Sequence, residues 1–170
     1  DNQKIKKLIS QLCKEYKVAE IPRFSKIGYF IRTMIDDGRL NYNEFQILSL
    51  YLRAKRTRSE SGILENAIMT SPGNFSCEYN CYYCPNPKDG VRSYPKNGPS
   101  ARRAAQNGYD IVRQFNDRAS TYAINLHYVD KMEVIILGGT WDSYPIDYHY
   151  KTITEVYYAA NTFYDIGPRR

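Results

Sequence analysis

The sequence has few cysteines and no long hydrophobic run. Four cysteines occur among 170 residues and three of them cluster, which argues against the disulfide framework of a small secreted domain. No stretch approaches the roughly 18 apolar residues that a membrane span needs, and the first residues do not resemble a signal peptide. We therefore expect a soluble, cytoplasmic protein in a reducing compartment, with no membrane partner.

The composition is that of a globular protein with an excess of positive charge. Hydrophobic residues make up 42% and aromatic residues 14% of the chain, which is enough for a core. Lysine and arginine number 24 against 18 aspartate and glutamate, and the net charge of +6 favours an anionic partner. Many basic proteins bind no particular anion. Only the local distribution of charge can show whether the positive residues form a surface that phosphates could use.

Residues 1–54 have the pattern of a small, basic helical unit. Apolar residues at helical spacing in 5–12 predict a first amphipathic helix with lysines on its other face. Pro22 and Gly38 bound a second helix, and Asn41 is a good cap for a third. The lysines are either the solvated face of this unit or a contact surface for an anion.

The sequence pattern of residues 55–170 predicts strands that alternate with helices. The run 63–69 reads as a strand. The segment KMEVIILGGT contains the clearest strand, whose apolar run we expect to be buried on both faces, as strands of parallel sheets are. Between them we expect one helix capped by Ser100 and weakened by Gly108, and a further helix follows the second strand.

Repeated βα units of this kind form an open doubly wound sheet or a barrel, with ligands at the carboxyl ends of the strands. A cysteine-rich loop follows the first strand, and Gly138 and Gly139 follow the second. We therefore expect both segments to lie at the same edge of a parallel sheet.

Three cysteines in that loop, Cys77, Cys81 and Cys84, form a CxxxCxxC motif. A structural zinc site wants four protein ligands, usually as two pairs of close ligands, and here the second pair is missing. Cys13 or His127 would complete it only by accident of folding. Three thiolates suit a cubane iron–sulfur cluster whose fourth iron stays open for a substrate or cofactor. Zinc ligation and reduced structural thiols are the alternatives.

Together with its neighbours, this motif resembles the radical S-adenosylmethionine (SAM) superfamily. Four blocks in order narrow the likeness to the Elongator catalytic subunit family, which acylates the wobble uridine of tRNA. The likeness runs from Arg53 to Tyr150, and the blocks are RAKRTRSESGI, CYYCPNP, RSY followed by GPSARRA, and DKMEVIILGGTW. It implies a partial radical SAM (β/α) barrel after the helical unit.

The resemblance also implies cofactors and their ligands. The three cysteines of the motif would hold a 4Fe-4S cluster, whose open iron would chelate the amino and carboxylate groups of SAM. Gly138, Gly139 and Thr140 match the turn that approaches the methionine end of SAM, and Tyr83 would lie near its adenine. Reductive cleavage of SAM would yield a 5'-deoxyadenosyl radical.

In the same family, that radical is proposed to activate acetyl-CoA for addition at carbon 5 of uridine 34, which leads to a carboxymethyl group. Lys131 matches a lysine that contacts acetyl-CoA. Its alternative reading is an ordinary cation at the mouth of a strand. The resemblance assigns no residue to the chemical step itself.

Basic residues in the matching blocks would border the entry of the tRNA anticodon stem-loop: Lys55, Arg56, Arg58, Arg102 and Arg103. Phosphate contacts from lysine and arginine supply most of such affinity, and nearby tyrosines can stack on splayed bases. Arg102 and Arg103 also fit the plain surface of a first helical turn. Elongator-type subunits or a homodimer are the further partners that the resemblance implies.

Two departures from the family pattern limit the transfer. Ser71, followed by Pro72, stands where the family has its first cluster cysteine, so Cys77 supplies the general superfamily spacing instead. We expect only two βα units after Gly62 and no counterpart of the family's acetyltransferase domain within these 170 residues. We expect a piece of a longer protein rather than a degenerate relative that does not turn over.

Two other functions fit parts of the sequence. The first is a zinc-stabilised RNA-binding module without catalysis. The second is another radical SAM enzyme, such as a methylthiotransferase or a lipoyl-type synthase, which needs further cysteine clusters that this sequence does not contain.

Overall fold

A computed structural model describes most of the chain. The described residues are 2–72, 77–79, 81–87 and 90–165. The chain divides into two compact units, and the first includes a segment from the middle of the sequence. The first unit comprises 1–63 and 121–131, and the second comprises 64–120 and 132–170.

The first unit contains the three predicted helices: α1 (Asn2–Glu15), α2 (Phe24–Asp36) and α3 (Tyr42–Leu52). Gly38 follows α2 with a φ of +70°, a left-handed conformation that glycine adopts at no steric cost. Asn41 caps α3 as predicted. Its side chain accepts a hydrogen bond from the Glu44 N–H, and the Glu44 carboxylate accepts one from the Asn41 N–H.

A small apolar cluster holds this unit together. Ile31 of α2, Phe45 of α3 and Leu126 are buried in contact with one another. Gly28 lets α2 approach the chain closely, because a Cβ there would overlap the carbonyl oxygen of Ile124. Burial of such side chains stabilises a fold by roughly 1.5–3 kcal/mol each.

The second unit is a mixed α/β structure, as predicted. Its strands β1 (Leu64–Met69) and β2 (Met132–Leu137) are parallel, with Leu64 paired to Met132 and Met69 to Leu137. Its helices are α4 (Pro99–Gln106), α5 (Ile111–Ile124), whose last turn belongs to the first unit, and α6 (Ile146–Thr162). The described residues form a two-stranded sheet and no closed barrel.

The prediction of one helix between the strands is wrong. Gly108 and Tyr109 both have positive φ, +61° and +58°, which ends α4 and separates it from α5. Asp110 then opens α5, because its carboxylate accepts a hydrogen bond from the Arg113 N–H at 2.7 Å.

The predicted cap at Ser100 is also wrong. Gly98 is the N-cap residue of α4 and makes no side-chain cap, and Pro99 occupies the first turn. Proline favours this position because its missing N–H would have no partner inside the helix. Ser100 therefore lies within the helix.

Burial of β2 on both faces is not observed. Glu133 and Ile135 are exposed on one face, whereas β1 buries Leu64 and Ile68. The strand is therefore half-buried, and the charged Glu133 interrupts its apolar sequence. Among the described helices, none is both long and apolar enough to cross a membrane.

Candidate functional site at the carboxyl edge of the sheet

The two strands of the second unit end side by side. The Thr70 N–H donates a hydrogen bond to the Leu137 carbonyl at 2.8 Å, one step beyond the last residue of β1. The loop that holds the cysteines and the Gly138–Gly139 turn therefore leave the sheet at the same edge, as predicted. Ligands of parallel α/β sheets bind at this edge.

The glycine turn is packed against the first loop. A Cβ on Gly138 would overlap the Thr70 hydroxyl and stand 2.8 Å from the Tyr144 hydroxyl. A Cβ on Gly139 would stand 3.6 Å from the Cys77 Cβ, which is ordinary contact. Glycine at 138 is therefore a packing requirement, whereas glycine at 139 leaves its backbone uncovered by a side chain.

Two tyrosines hold the segments that follow β1 and β2: Tyr144, which precedes α6, and Tyr148 in its first turn. The Tyr144 hydroxyl lies 2.8 Å from the buried Thr70 hydroxyl and accepts a hydrogen bond from the Gly139 N–H at 3.2 Å. The Tyr148 hydroxyl accepts one from the Ser71 N–H at 2.8 Å, and burial raises the pKa of Tyr148. The two rings stack with their centroids 5.4 Å apart.

Cys77 lies against the glycine turn. Its side chain is buried, and its sulfur is 3.1 Å from the Thr140 hydroxyl. Hydrogen bonding from Thr140, followed by backbone hydrogen bonds, lowers the pKa of the Cys77 thiol. Arg92 donates to the Cys77 carbonyl oxygen at 2.7 Å and so fixes the backbone at this cysteine.

The other two cysteines of the motif are more accessible. Cys81 is exposed and Cys84 half-buried, and the Cys84 N–H donates to the Cys81 carbonyl at 3.1 Å, which closes a tight turn. Tyr83 in that turn is 88% exposed, so its ring is available to a ligand. Within the described residues, no three metal-ligating side chains converge.

All four cysteines are free thiols. Three soft sulfur donors on one short loop suit an iron–sulfur cluster or zinc by their chemistry. His127 is unavailable as the fourth zinc ligand, since both ring nitrogens are hydrogen-bonded inside the first unit.

In the first unit, the basic segment 54–59 is fastened at both ends by His127. The ring Nε2 lies 2.8 Å from the Ala54 carbonyl and Nδ1 lies 2.9 Å from the Ser59 hydroxyl. Because a carbonyl only accepts, Nε2 carries the proton and Nδ1 accepts from Ser59. Three exposed cations lie between these anchors: Lys55, with a φ of +53°, Arg56 and Arg58.

The two arginines of α4 differ from each other. Arg102 is exposed, whereas Arg103 donates to the Ala67 carbonyl of β1 at 2.7 Å. Arg103 therefore ties α4 to an edge strand. Lys131 is exposed and precedes β2, so the whole strand separates it from Gly138 along the chain.

Sequence reasoning missed the residues that build the edge of the sheet: Thr70, Arg92, Tyr144 and Tyr148. The available signal was Tyr144 and Tyr148 at i and i+4 around Pro145, directly after the glycine turn. Tyr144 is extended and precedes the helix, so helical spacing alone does not predict that the two rings stack.

Comparison with known proteins confirms the predicted resemblance to the Elongator catalytic subunit family. The chain is 29% identical to Elongator complex protein 3 of Saccharomyces cerevisiae, over 92% of this chain and 28% of that protein. It is 36% identical to a tRNA uridine(34) acetyltransferase of Dehalococcoides mccartyi, over 63% of this chain and 23% of that protein.

Elongator complex protein 3 of Homo sapiens is similar at 32% identity over 61% of this chain. No protein-family model matches the sequence. The chain is thus a relative of these proteins and spans about a quarter of the length of the curated relatives it matches.

Proposed function

We propose that this chain is part of a radical SAM enzyme that modifies the wobble uridine of tRNA at carbon 5, with SAM and acetyl-CoA as co-substrates. Relatives named tRNA uridine(34) acetyltransferase support the tRNA modification and the acyl transfer. The observation that carries the proposal is the contact between Cys77 and Thr140, which brings the CxxxCxxC loop to the glycine turn. In this proposal β1 and β2 begin a radical SAM barrel.

The donor set of the loop fits a 4Fe-4S cluster held by Cys77, Cys81 and Cys84. When bound, such a cluster supplies the electron that cleaves SAM reductively. Thr140 favours the thiolate of Cys77, which is the form that binds metal. The turn formed by Gly138, Gly139 and Thr140 is proposed to approach the methionine end of SAM, although the Gly139 N–H already donates to the Tyr144 hydroxyl. Tyr83, which is exposed, is proposed to lie near the adenine.

For tRNA, the proposed contacts are the exposed cations Lys55, Arg56, Arg58 and Arg102, with phosphates as their ligands. Within the second unit, Arg103 ties α4, which carries Arg102, to β1. Reversal of Arg56 and Arg58 to glutamate is expected to weaken tRNA binding at moderate salt. Unchanged binding would remove these residues from the interface.

The acyl-transfer part of the proposal extends beyond this chain. Lys131 is the residue proposed to contact acetyl-CoA, and its exposed position allows such a contact. The relatives named Elongator complex protein 3 suggest Elongator-type subunits as partners, with a homodimer as the other arrangement.

The first experiment is anaerobic reconstitution of the chain with iron and sulfide, followed by iron and sulfide analysis and an absorbance spectrum. We expect four irons per chain and a broad visible band, both lost in Cys77→Ala. Cys13→Ala is the matched control, because Cys13 lies in α1 outside the loop.

Cleavage of SAM to 5'-deoxyadenosine under reducing conditions is the second readout. Retained zinc without cluster formation would contradict the radical SAM proposal. The cysteine loop would then be structural and the chain a zinc-stabilised RNA-binding module.

A further inference from the structure

A cavity of about 340 Å³ lies beside α4 in the second unit. Ala101 and Ala105, one helical turn apart, form part of its lining, and their small side chains leave the space open. Tyr94 and Tyr109 also line it, and both are half-buried. The cavity thus combines a helix surface of small apolar side chains with two aromatic rings, and its volume lies in the range of small-molecule sites.

The polar lining of this cavity favours an anion. Lys96 and Arg102 contribute positive charge, and Gln106 contributes an amide that both donates and accepts hydrogen bonds. The described lining contains no carboxylate. Arg102 and Gln106 are one turn apart on α4, so they lie on the same side of the helix beside the alanine pair.

The backbone beside both tyrosines has an unusual conformation. Ser93, which precedes Tyr94, has a φ of +77°, and Tyr109 itself has a φ of +58°. Bulky residues rarely adopt positive φ, and such conformations cluster at ligand sites where the surrounding structure enforces them. Both rings also pack against the buried cluster that contains Val91 and Ala104, which fixes their positions.

We propose that this cavity binds one nucleotide unit. Its base would lie against Tyr94 and Tyr109, its edge would hydrogen-bond to Gln106, and its phosphate would contact Arg102 and Lys96. Aromatic rings bind the face of any base, and arginine binds phosphate by paired N–H groups. The bound nucleotide unit could belong to a strand of RNA or be a free mononucleotide, because both offer this chemistry. We choose RNA, and this choice rests on the proposed function.

The test measures binding by the chain without a metal centre, so it is independent of cluster formation and of enzymatic activity. The probes are uridine 5'-monophosphate, followed by ligand-observed NMR, and a labelled short oligouridylate, followed by fluorescence anisotropy. Three variants address three features of the cavity. Arg102→Gln removes charge, Tyr94→Leu removes a ring, and Ala105→Trp fills the space.

We expect each variant to weaken oligouridylate binding by roughly tenfold, the effect of losing one stacked base or one phosphate contact. Arg102→Gln also lowers the slope of log K against log salt by about 0.7, the value for one contact with a single strand. Tyr94→Phe keeps the ring and is expected to bind like the parent chain. Matched controls lie on the exposed side of α6: Lys151→Gln for the charge and Tyr157→Leu for the ring.

The two probes separate the two sources of the nucleotide. Weaker binding of both probes in the three variants supports a site for any nucleotide, and weaker binding of the oligouridylate alone assigns the cavity to an RNA strand. Variants that bind both probes as the controls do would overturn the proposal. Circular dichroism melting shows which variants are folded, and Ala105→Trp tests the cavity without removing any polar group. A chain that assembles a cluster yet fails this test keeps its proposed function and loses only the cavity.

Discussion

At the scale of single residues, Thr140 lowers the pKa of the Cys77 thiol. Its hydroxyl lies 3.1 Å from the Cys77 sulfur and can donate to the thiolate form, and this contact is the largest cause of the lowered pKa. Replacing Thr140 by valine removes the donor, so the pKa of Cys77 rises. We therefore expect the midpoint of alkylation against pH to move to higher pH in Thr140→Val.

This measurement needs a chain in which Cys77 is the only thiol, with the other three cysteines replaced by alanine. The rate of iodoacetamide alkylation is followed from neutral to alkaline pH. Thr140→Ser keeps the hydroxyl and is expected to restore the lower midpoint. Identical midpoints for threonine and valine would show that Thr140 does not control the thiol.

Tyr144 links the segment that follows β1 to the segment that follows β2 at the carboxyl edge of the sheet. Its hydroxyl is the partner of the fully buried Thr70 hydroxyl and of the Gly139 N–H. Phenylalanine at 144 keeps the ring and leaves both groups without this partner, so we expect the free energy of unfolding to fall by about 1–3 kcal/mol.

Urea denaturation followed by circular dichroism checks this prediction. The control is Tyr157→Phe, because Tyr157 is 66% exposed on α6. A loss in Tyr144→Phe no larger than in Tyr157→Phe would contradict the assigned role of the Tyr144 hydroxyl.

At the scale of elements, His127 holds the basic segment 54–59 in a fixed shape. The ring reaches the Ala54 carbonyl and the Ser59 hydroxyl, and the cations lie between them. Preorganisation of this kind lowers the entropy lost when the segment binds phosphates. We expect Ser59→Ala to weaken oligonucleotide binding several-fold while leaving the dependence on salt unchanged.

Salt dependence separates this positioning role from direct contact. Arg56→Gln removes a charge and is expected to lower the slope of log K against log salt. Ser59→Ala removes no charge, so its slope is expected to equal that of the parent chain. Ser59→Thr keeps the hydroxyl and serves as the rescue. A changed slope in Ser59→Ala would argue against a purely positioning role.

The elements were predictable where sequence pattern and local chemistry agree. The helical periodicity of α1, the Asn41 cap of α3 and the apolar run of β2 each identified an element without knowledge of its neighbours. The break at Gly108 was underestimated, because one glycine only weakens a helix, whereas here Tyr109 also adopts a positive φ.

The site was predictable only in part, because its contacts join distant residues. CxxxCxxC and the glycine pair are local motifs, so the sequence predicted a common edge for them. Thr70 and its partner Tyr144 are 74 residues apart, and Cys77 and its partner Thr140 are 63 apart. No local sequence pattern reveals that these side chains contact each other. Arg103 was grouped with Arg102 for the same reason, since only the fold shows its bond to β1.

At the scale of the whole molecule, α6 presents an apolar stripe to solvent. Four exposed side chains recur along one side of the helix at i, i+4, i+7 and i+11: Ile146, Tyr150, Ile153 and Tyr157. Contiguous exposed apolar surface of this kind binds hydrophobic dyes. We expect the chain to enhance anilinonaphthalene sulfonate fluorescence while it is fully folded.

Charge on the stripe should abolish this enhancement. The double variant Ile153→Lys and Tyr157→Lys interrupts the stripe, and dye fluorescence is expected to fall markedly. The matched control, Lys151→Gln with Glu155→Gln, changes polar residues of the same helix. Equal dye binding in both variants would place the exposed apolar surface elsewhere.

The parallel pairing of β1 with β2 also dictates an order of events during synthesis. Cys77 is translated about sixty residues before Thr140. At roughly 5–20 residues per second, the ribosome extends the chain for several seconds before the partner of this thiol exists. During that interval the thiol lacks the hydrogen bond that lowers its pKa, and the loop has no second strand beside it. The lowered pKa of Cys77 is therefore a property of the paired strands, which the nascent chain acquires only after β2 and Thr140 have been translated.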